Sequence, residues 1–227
     1  MTAIAPALSV ELKGTHPLRV KLQPDVIAEL KRAKALKIFG CSGAGKTELI
    51  KALLTKRPDR LCRVVTTTTR PPRSGEVESI DYHFLGRPNF EKGIVGGDFI
   101  EYDLFGAVGN KNYYGVSVAA LRNVWALGKV PVLNITVGGI EQVNNLMPGT
   151  PAIFIDAPFY VLEERLKARG DSEDDIKARL AEAQQEKEIF GRYCTDVVLN
   201  TGTIEAGVSS LLSIVDSYLR TCPSPQD

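Results

Sequence analysis

The sequence predicts an α/β fold in which helices flank a parallel sheet. Short apolar runs alternate along the chain with segments whose apolar residues recur at helical spacing. The runs lack the apolar–polar alternation of a half-exposed strand, which indicates strands buried on both faces, as in a parallel sheet. The predicted strands are Leu36–Phe39, Arg63–Thr66, Val130–Ile135, Ala152–Ile155 and Val197–Leu199. A final helix is predicted by the apolar stripe Ile204, Val208, Leu211, Leu212, Val215 and Leu219.

Residues 1–34 precede the first core strand and are interpreted as an N-terminal extension packed on the core. Within it, Val20 and Leu22 suggest a short strand, and Pro24–Leu30 reads as a helix with proline in its first turn. The remainder, residues 35–227, is expected to form one domain with inserted lobes, which a chain of 227 residues is long enough to build.

The segment after the first strand is the strongest motif in the chain. Its residues, Gly40-Cys41-Ser42-Gly43-Ala44-Gly45-Lys46-Thr47, fit G-x-x-x-x-G-K-[ST], the phosphate-binding P-loop, and an apolar helical pattern follows. Glycines let backbone N–H groups turn toward an anion, and the helix N-terminus adds positive potential. We therefore predict that Gly40, Ser42, Gly43, Ala44, Gly45, Lys46 and Thr47 bind ATP, with Lys46 reaching the terminal phosphates and Thr47 holding Mg²⁺.

Two segments interrupt the α/β alternation. Residues 66–118, rich in glycine, tyrosine and arginine, are expected to form an inserted lobe, and the charged residues 166–191 a lid over the P-loop. The rest of the core is then residues 35–65, 119–165 and 192–227. In the lid, Ser172-Glu173-Asp174-Asp175 is typical of a capping box that opens a helix. In the lobe, Arg70 and Arg73 flank a stiff Pro-Pro, which suits either a dianionic phosphate or a solvated basic turn.

Composition limits the partners. Lysine and arginine number 28 against 27 aspartates and glutamates, so the near-zero net charge argues against general nucleic-acid binding. An apolar run of membrane-spanning length is absent and the N-terminus does not resemble a secretory signal, so we expect a cytoplasmic protein without membrane contact. The four cysteines lack metal or disulfide spacing and are expected to be free thiols, with Cys41 a candidate for oxidation. A monomer and a homodimer are both compatible with the sequence.

Taken in order, the motifs resemble the guanylate kinases. That family carries a P-loop, a T-T-R-x-P-R-x-G-E-x-x-G-x-D-Y-x-F block, F-[IL]-E, N-Y-Y-G-[TS], an L-D-I-D strand and R-L-x-x-R before a lid. The resemblance covers about residues 36 to 219. The matching blocks here are Thr68-Thr69-Arg70-Pro71-Pro72-Arg73, Phe99-Ile100-Glu101, Asn112-Tyr113-Tyr114-Gly115, Arg165-Leu166-Lys167-Ala168-Arg169 and Arg179-Leu180.

The resemblance implies a Mg²⁺-assisted transfer of phosphate from ATP to GMP, with use of dGMP left open. It makes residues 66–118 a GMP-binding lobe. It assigns Arg70, Arg73, Tyr82 and Tyr114 to the GMP phosphate, Thr66 and Glu76 to the guanine pocket, and Glu101 to the guanine N1–H and amine. It assigns Lys46, Arg165, Arg169 and Arg179 to catalysis, and Asn200 to ATP.

The chain also departs from the family pattern. Val116 replaces a hydroxyl residue, and Asn134 and Thr136 replace the two aspartates of L-D-I-D, while Asp156 adds a carboxylate at a neighbouring strand end. Two alternatives therefore stay open: a non-catalytic binding module of the same fold, and a related kinase with another phosphate acceptor. The intact P-loop disfavours the first, and Glu101 with the Arg70–Arg73 block disfavours the second.

Overall fold

A computed structural model describes residues 20–105 and 111–222. Its core is a five-stranded sheet in which every neighbouring pair is parallel, as predicted. The strand order is β2-β7-β1-β8-β9. These strands are β1 (Leu36–Gly40), β2 (Leu61–Arg63), β7 (Val130–Asn134), β8 (Ala152–Asp156) and β9 (Asp196–Leu199). The α/β fold class is confirmed.

Helices pack against this sheet and build the hydrophobic core with it. Leu30 of the first helix is fully buried in that core, and the stripe of the last helix buries Val208, Leu211, Val215 and Leu219. The helices are α1 (Pro24–Arg32), α2 (Lys46–Lys56), α3 (Arg87–Gly96), α4 (Val118–Ala126), α5 (Val137–Leu146), α6 (Phe159–Ala168), α7 (Glu173–Phe190) and α8 (Ile204–Leu219). None of the described helices is long and apolar enough to span a membrane.

A second, four-stranded sheet lies between β2 and α4 in the chain. Its order is β4-β3-β6-β5, formed by β3 (Thr67–Thr68), β4 (His83–Phe84), β5 (Phe99–Phe105) and β6 (Asn112–Ser117). Its own small core is aromatic: Phe90 of α3 stacks on Phe99 at 4.2 Å and on Tyr113 at 5.0 Å between ring centroids. The opposite face of this sheet is therefore free to carry polar residues.

Two local expectations were wrong. The strand predicted at 63–66 is instead β2, Leu61–Arg63, because the chain leaves the core sheet there and enters β3 of the second sheet at Thr67. Val20 and Leu22 form no strand; their side chains pack partly buried against the hydrophobic clusters. The rest of the proposed N-terminal extension, residues 1–19, and the C-terminal residues 223–227 lie outside the described residues.

Two other predictions are confirmed by hydrogen bonds and helix bounds. The first helix begins at Pro24. In the predicted lid, α7 begins at Glu173, where the capping box was expected, and Ser172 caps it: the backbone N–H of Asp175 donates to Ser172 Oγ at 3.2 Å, and Ser172 Oγ donates to Asp175 Oδ2 at 2.7 Å.

Candidate active site

The P-loop joins the central strand β1 to α2 and is shaped by its glycines. Gly43 and Gly45 have φ angles of 84° and 88°, a region that disfavours other residues. A Cβ on Gly45 would lie 2.5 Å from Asn200 Nδ2, so a side chain there has no room. Thr47, in the first turn of α2, is exposed. The loop thus presents a helix N-terminus with an accessible hydroxyl, the arrangement that binds phosphate and its cation.

The Lys46 ammonium lies inside the loop. Its Nζ donates to the backbone oxygens of Gly40 at 2.5 Å and Cys41 at 2.9 Å. Burial lowers the pKa of Lys46, and the nearby Glu186 carboxylate partly opposes this. Glu186 belongs to α7, so the predicted lid brings a carboxylate to the P-loop lysine.

Cys41 is also covered by α7. It is fully buried, with Sγ 3.9 Å from the carbonyl oxygen of Ala183, and burial and Glu186 raise the pKa of its thiol to about 12. A buried, protonated thiol is a poor nucleophile. The structure therefore argues against the expectation that Cys41 is readily oxidised.

Three predicted catalytic arginines lie at or near the loop. Arg165 Nη1 donates to the carbonyls of Gly43 and Ala44, each at 3.3 Å, and Arg179 Nη1 donates to Ser42 Oγ at 3.0 Å. Asp171 links two of the arginines. It accepts from Arg169 Nε at 2.9 Å and lies 3.1 Å from Arg179 Nε. Asp171 was missed from sequence because a carboxylate inside a highly charged segment has no distinguishing signal.

Asn200 lies under the P-loop. Its side chain is buried, its Nδ2 donates to the carbonyl of Ala44 at 2.8 Å, and its backbone oxygen accepts from Arg165 Nη2 at 3.1 Å. Its Oδ1 is buried without a partner among the described residues. These contacts hold the loop in shape, and a direct contact with ATP stays a prediction.

On the second sheet, Arg70 is the centre of a charged cluster. It donates to both Glu76 carboxylate oxygens, at 2.7 and 2.9 Å, and its Nε lies 3.3 Å from Tyr114 Oη. Its guanidinium stands over the Tyr82 ring at 5.4 Å. Arg73 contributes its backbone N–H to Glu76, at 2.7 Å, and its side chain is exposed. We name Arg70, Arg73, Glu76, Tyr82 and Tyr114 the arginine cluster.

Glu76, expected in the guanine pocket, is tied to Arg70 and Arg73. Because Arg70 and the Arg73 amide donate to it, the pKa of Glu76 falls to about 2, and the group is a fixed anion that orients Arg70. Its described side-chain contacts lie within the arginine cluster, and a place in the guanine pocket stays a prediction. Thr66, the other predicted pocket residue, precedes β3 and is half-buried; its carbonyl accepts from the His83 N–H at 2.9 Å.

Glu101, on β5, is the most unusual carboxylate of the site. It is 4 % exposed, and its Oε2 is buried with no hydrogen-bond partner among the described residues. Burial and the charge of Asp103 raise its pKa to about 8, opposed by a hydrogen bond from the Val116 backbone. A buried carboxylate without a donor is costly, which makes it a ready acceptor for a ligand.

The N-terminus of α5 faces this carboxylate. Thr136 caps the helix by accepting from the Gly139 N–H at 3.1 Å. A Cβ at Gly139 would lie 2.6 Å from Glu101 Oε2, and one at Gly138 would lie 3.2 Å from Asp103 Oδ2. Asp103 was missed from sequence, although its spacing of two from Glu101 in a strand puts both on one face.

The departures from the family pattern at the ends of β7 and β8 differ in exposure and in their contacts. Asn134 is exposed at the end of β7. Asp156, at the end of β8, forms an ion pair with Lys187 of α7 at 2.7 Å and accepts from the Ala157 N–H at 2.8 Å. In the part of the chain that the structure describes, His, Cys, Asp and Glu residues form no cluster that could hold a metal by themselves.

The P-loop at the end of a central parallel strand, covered by an arginine-bearing helix, defines the P-loop nucleotide-binding class of α/β proteins. The guanylate kinase family model matches residues 32–218. The guanylate kinase of Idiomarina loihiensis is 40 % identical over 82 % of this chain and 87 % of the relative. That of Schizosaccharomyces pombe is 36 % identical over 69 % of this chain and 77 % of the relative.

A solved structure agrees with the sequence comparisons. The crystal structure of guanylate kinase from Anaplasma phagocytophilum matches with a TM-score of 0.61 and 25 % identity, over 83 % of this chain and 87 % of that one. The chain is an enzyme of the guanylate kinase family.

Proposed function

We propose that the protein transfers the γ-phosphoryl group of ATP to GMP, giving ADP and GDP, with Mg²⁺ bound to the ATP. The observation that carries this proposal is the shared sheet face of the acceptor side. Glu101 and Tyr114 lie on adjacent antiparallel strands of that face, and Tyr114 meets Arg70 at 3.3 Å. The proposed base-reading acceptor and the anion-binding cluster therefore lie close to each other on one face of the β5–β6 pair.

In this proposal the arginine cluster holds the GMP phosphate. The Arg70 guanidinium is oriented by Glu76, and the exposed Arg73 adds a second fork for phosphate oxygens. Glu101 accepts hydrogen bonds from the guanine N1–H and exocyclic amine, which relieves its unpartnered oxygen. Adenine presents no such pair of adjacent donors, so the carboxylate selects guanine. Thr66 stays a candidate for the base pocket.

The P-loop and lid hold the donor. ATP phosphates would take the N–H groups of the loop and replace the carbonyl contacts that Lys46 now makes. The exposed Thr47 hydroxyl in the first turn of α2 would hold Mg²⁺, and the exposed Asn134 amide, at the end of the strand next to β1, would hold a water bound to the metal. When bound, Mg²⁺ neutralises phosphate charge.

The lid arginines complete the charge neutralisation. Arg179 already reaches Ser42, and Asp171 ties it to Arg169, so movement of α7 would carry both guanidinium groups together. Arg165 supports the loop from α6 and, with Lys46, stabilises charge on the transferring group. We accordingly divide the domain into a core, a GMP-binding lobe at 66–118 and a lid at 166–191, whose closure excludes water from ATP.

Release of ADP from ATP, measured with GMP, dGMP, AMP, CMP and UMP as acceptors, tests the proposal. We expect turnover with guanine nucleotides and much poorer turnover with AMP, CMP and UMP. Turnover with AMP equal to that with GMP would contradict the role of Glu101. Failure with every monophosphate would favour a non-catalytic binding module.

A further inference from the structure

Asp103 occupies a position on the acceptor face that the roles above leave unassigned. Along β5, Glu101 pairs with Val116 and Asp103 pairs with Tyr114 of β6. Directly opposed residues share a face, and residues two apart on a strand lie roughly 7 Å from each other on that face. Asp103 therefore lies next to both the carboxylate proposed to read the base and the tyrosine of the arginine cluster.

The carboxylate of Asp103 is held in a defined orientation. The backbone N–H of Leu104 donates to Oδ1 at 2.8 Å, while Oδ2 faces the first turn of α5 beside Gly138. The absence of a side chain at Gly138 makes room for it, since a Cβ there would lie 3.2 Å from Oδ2. The side chain is half-buried, so a ligand on this face can reach it.

Charge decides what Asp103 can recognise. A carboxylate repels phosphate oxygens, and the phosphate is already matched by Arg70 and Arg73 of the arginine cluster. Asp103 must therefore accept hydrogen bonds from neutral donors. In a guanine nucleotide whose base edge is read by Glu101 and whose phosphate is held by Arg70, the donors in between are the ribose hydroxyls. Carboxylates bind ribose hydroxyls in other nucleotide sites by the same chemistry.

We propose that Asp103 accepts a hydrogen bond from the ribose 2′-hydroxyl of the acceptor nucleotide and makes the enzyme prefer GMP to dGMP. The inference rests on the proposed function, because it uses the same acceptor site. A hydrogen bond to a charged group, absent from dGMP, corresponds to a preference of roughly 10- to 100-fold in kcat/KM.

The test compares kcat/KM for GMP, dGMP and IMP in the parent, Asp103→Ala and Asp103→Asn. IMP lacks the exocyclic amine and keeps the ribose, so it separates recognition of the sugar from recognition of the base. Asp98→Asn is the matched control, since Asp98 is an exposed carboxylate immediately before the same strand. Thermal unfolding and circular dichroism check that each variant is folded. If Asp103→Ala does not fold, Asp103→Asn carries the test, because it preserves the shape of the side chain.

We expect the parent to prefer GMP to dGMP by at least about 10-fold in kcat/KM. In Asp103→Ala this ratio should fall to near one because kcat/KM for GMP falls. The ratio of kcat/KM for GMP to that for IMP should be the same in Asp103→Ala as in the parent. Asp98→Asn should keep the parent ratios. Equal use of GMP and dGMP by the parent overturns the inference, as does a parallel loss of both in Asp103→Ala or a change confined to the GMP-to-IMP ratio. Absence of turnover with all three nucleotides in the parent overturns the proposed function itself.

Discussion

In the P-loop, Lys46 donates to two loop carbonyls and Arg179 donates to the Ser42 hydroxyl, whereas on the acceptor face the buried Glu101 Oε2 has no partner among the described residues. On the donor side, the cationic groups of Lys46 and Arg179 thus donate to neutral oxygens of the protein, which ATP phosphates can replace. The acceptor side keeps a buried carboxyl oxygen of Glu101 without a hydrogen-bond partner among the described residues. The P-loop cations can bind the phosphates of any nucleoside triphosphate, whereas the unpartnered Glu101 oxygen favours only a ligand with matching hydrogen-bond donors. The comparison predicts that donor-side changes affect rate and acceptor-side changes affect selectivity.

The largest effect is expected for Lys46→Ala. Removing the ammonium takes away charge stabilisation of the transferring phosphoryl group, so kcat should fall by about 10²- to 10³-fold. GMP affinity, measured calorimetrically without ATP, should stay nearly unchanged, because Lys46 contacts the P-loop carbonyls. Lys51→Ala is the control, since Lys51 is exposed on the same helix and pairs with Glu48. A comparable loss of GMP affinity in Lys46→Ala would break the division between the two sides.

Glu101→Gln probes the acceptor side with an isosteric change. The amide offers one acceptor where the carboxylate offers two, so one guanine donor would face an N–H group. We expect kcat/KM for GMP to fall by roughly 10- to 100-fold, with the KM for ATP unchanged. The control is Glu91→Gln, a lobe carboxylate that pairs with Arg87. Kinetics for GMP equal to those of the parent would remove the base-reading role.

A pH titration sharpens the same point. Burial and Asp103 raise the pKa of Glu101 to about 8, so near neutral pH the free enzyme holds it largely protonated. If the ionised form accepts the guanine donors, GMP binding releases a proton, and the KM for GMP should fall about fivefold between pH 7 and pH 8. The fall should level off above the pKa. It should be absent in Glu101→Gln, and a parent profile equally flat would contradict the mechanism.

The raised pKa of Glu101 also affects the stability of the fold, which falls as the pH rises while GMP binding is expected to improve. The pKa of Glu101 in the folded protein lies above its ordinary value of 4.5, so its contribution to stability is complete below pH 4.5 and is lost as the pH rises through about 8. If Glu101 accepts the guanine donors as proposed, GMP binds best to the ionisation state in which this carboxylate stabilises the fold least. Neighbouring charges matter to this balance, since Asp103 faces Glu101 on the same strand.

The sequence predicted the strand, glycine loop and helix of the P-loop, and several helix ends, because their signals are local. A glycine loop between an apolar run and a helical stripe is visible in consecutive residues, and so are the Pro24 helix start and the Ser172 cap. The charged lid helix α7 was expected as a lid, but Glu186 and Lys187 were not predicted to reach Lys46 and Asp156. Both partners lie far away in the sequence, Lys46 much farther than Asp156. In addition, α7 has no strong apolar stripe that would show which of its sides faces the core.

The acceptor side was predicted by resemblance more than by pattern, and some of its contacts were not foreseen. Glu76 was expected in the guanine pocket, and its spacing of three from Arg73 also lets it accept from that backbone N–H and hold Arg70. The spacing of Asp103 from Glu101 puts both on one strand face, but only the β5–β6 register shows that Asp103 lies opposite Tyr114. Pairing between strands decides such contacts, and a single sequence does not specify register.

The smallest effects concern the strand ends, where the family aspartates are replaced. Asp156 is held by Lys187 of α7, and Lys187 also donates to the Ala157 carbonyl at 2.6 Å. The pair therefore tethers the lid helix to the core sheet, and Asp156→Asn should change kcat only about two- to fivefold, without raising the Mg²⁺ concentration needed for half-maximal rate.

A double-mutant cycle and a Mg²⁺ titration separate a tether from a metal ligand. Lys187→Gln should have an effect similar to that of Asp156→Asn, and the double variant should be little worse than either, since both remove one interaction. Lys167→Gln, which breaks the exposed pair with Glu163, is the control. Asn134→Asp should instead lower the Mg²⁺ requirement, because an exposed carboxylate at the end of β7 is a better ligand for a hard cation than an amide. A different result would be a higher Mg²⁺ requirement in Asp156→Asn and an unchanged one in Asn134→Asp. Asp156 would then give up its ion pair with Lys187 to bind Mg²⁺, and the donor side would depend on a carboxylate, as the acceptor side does.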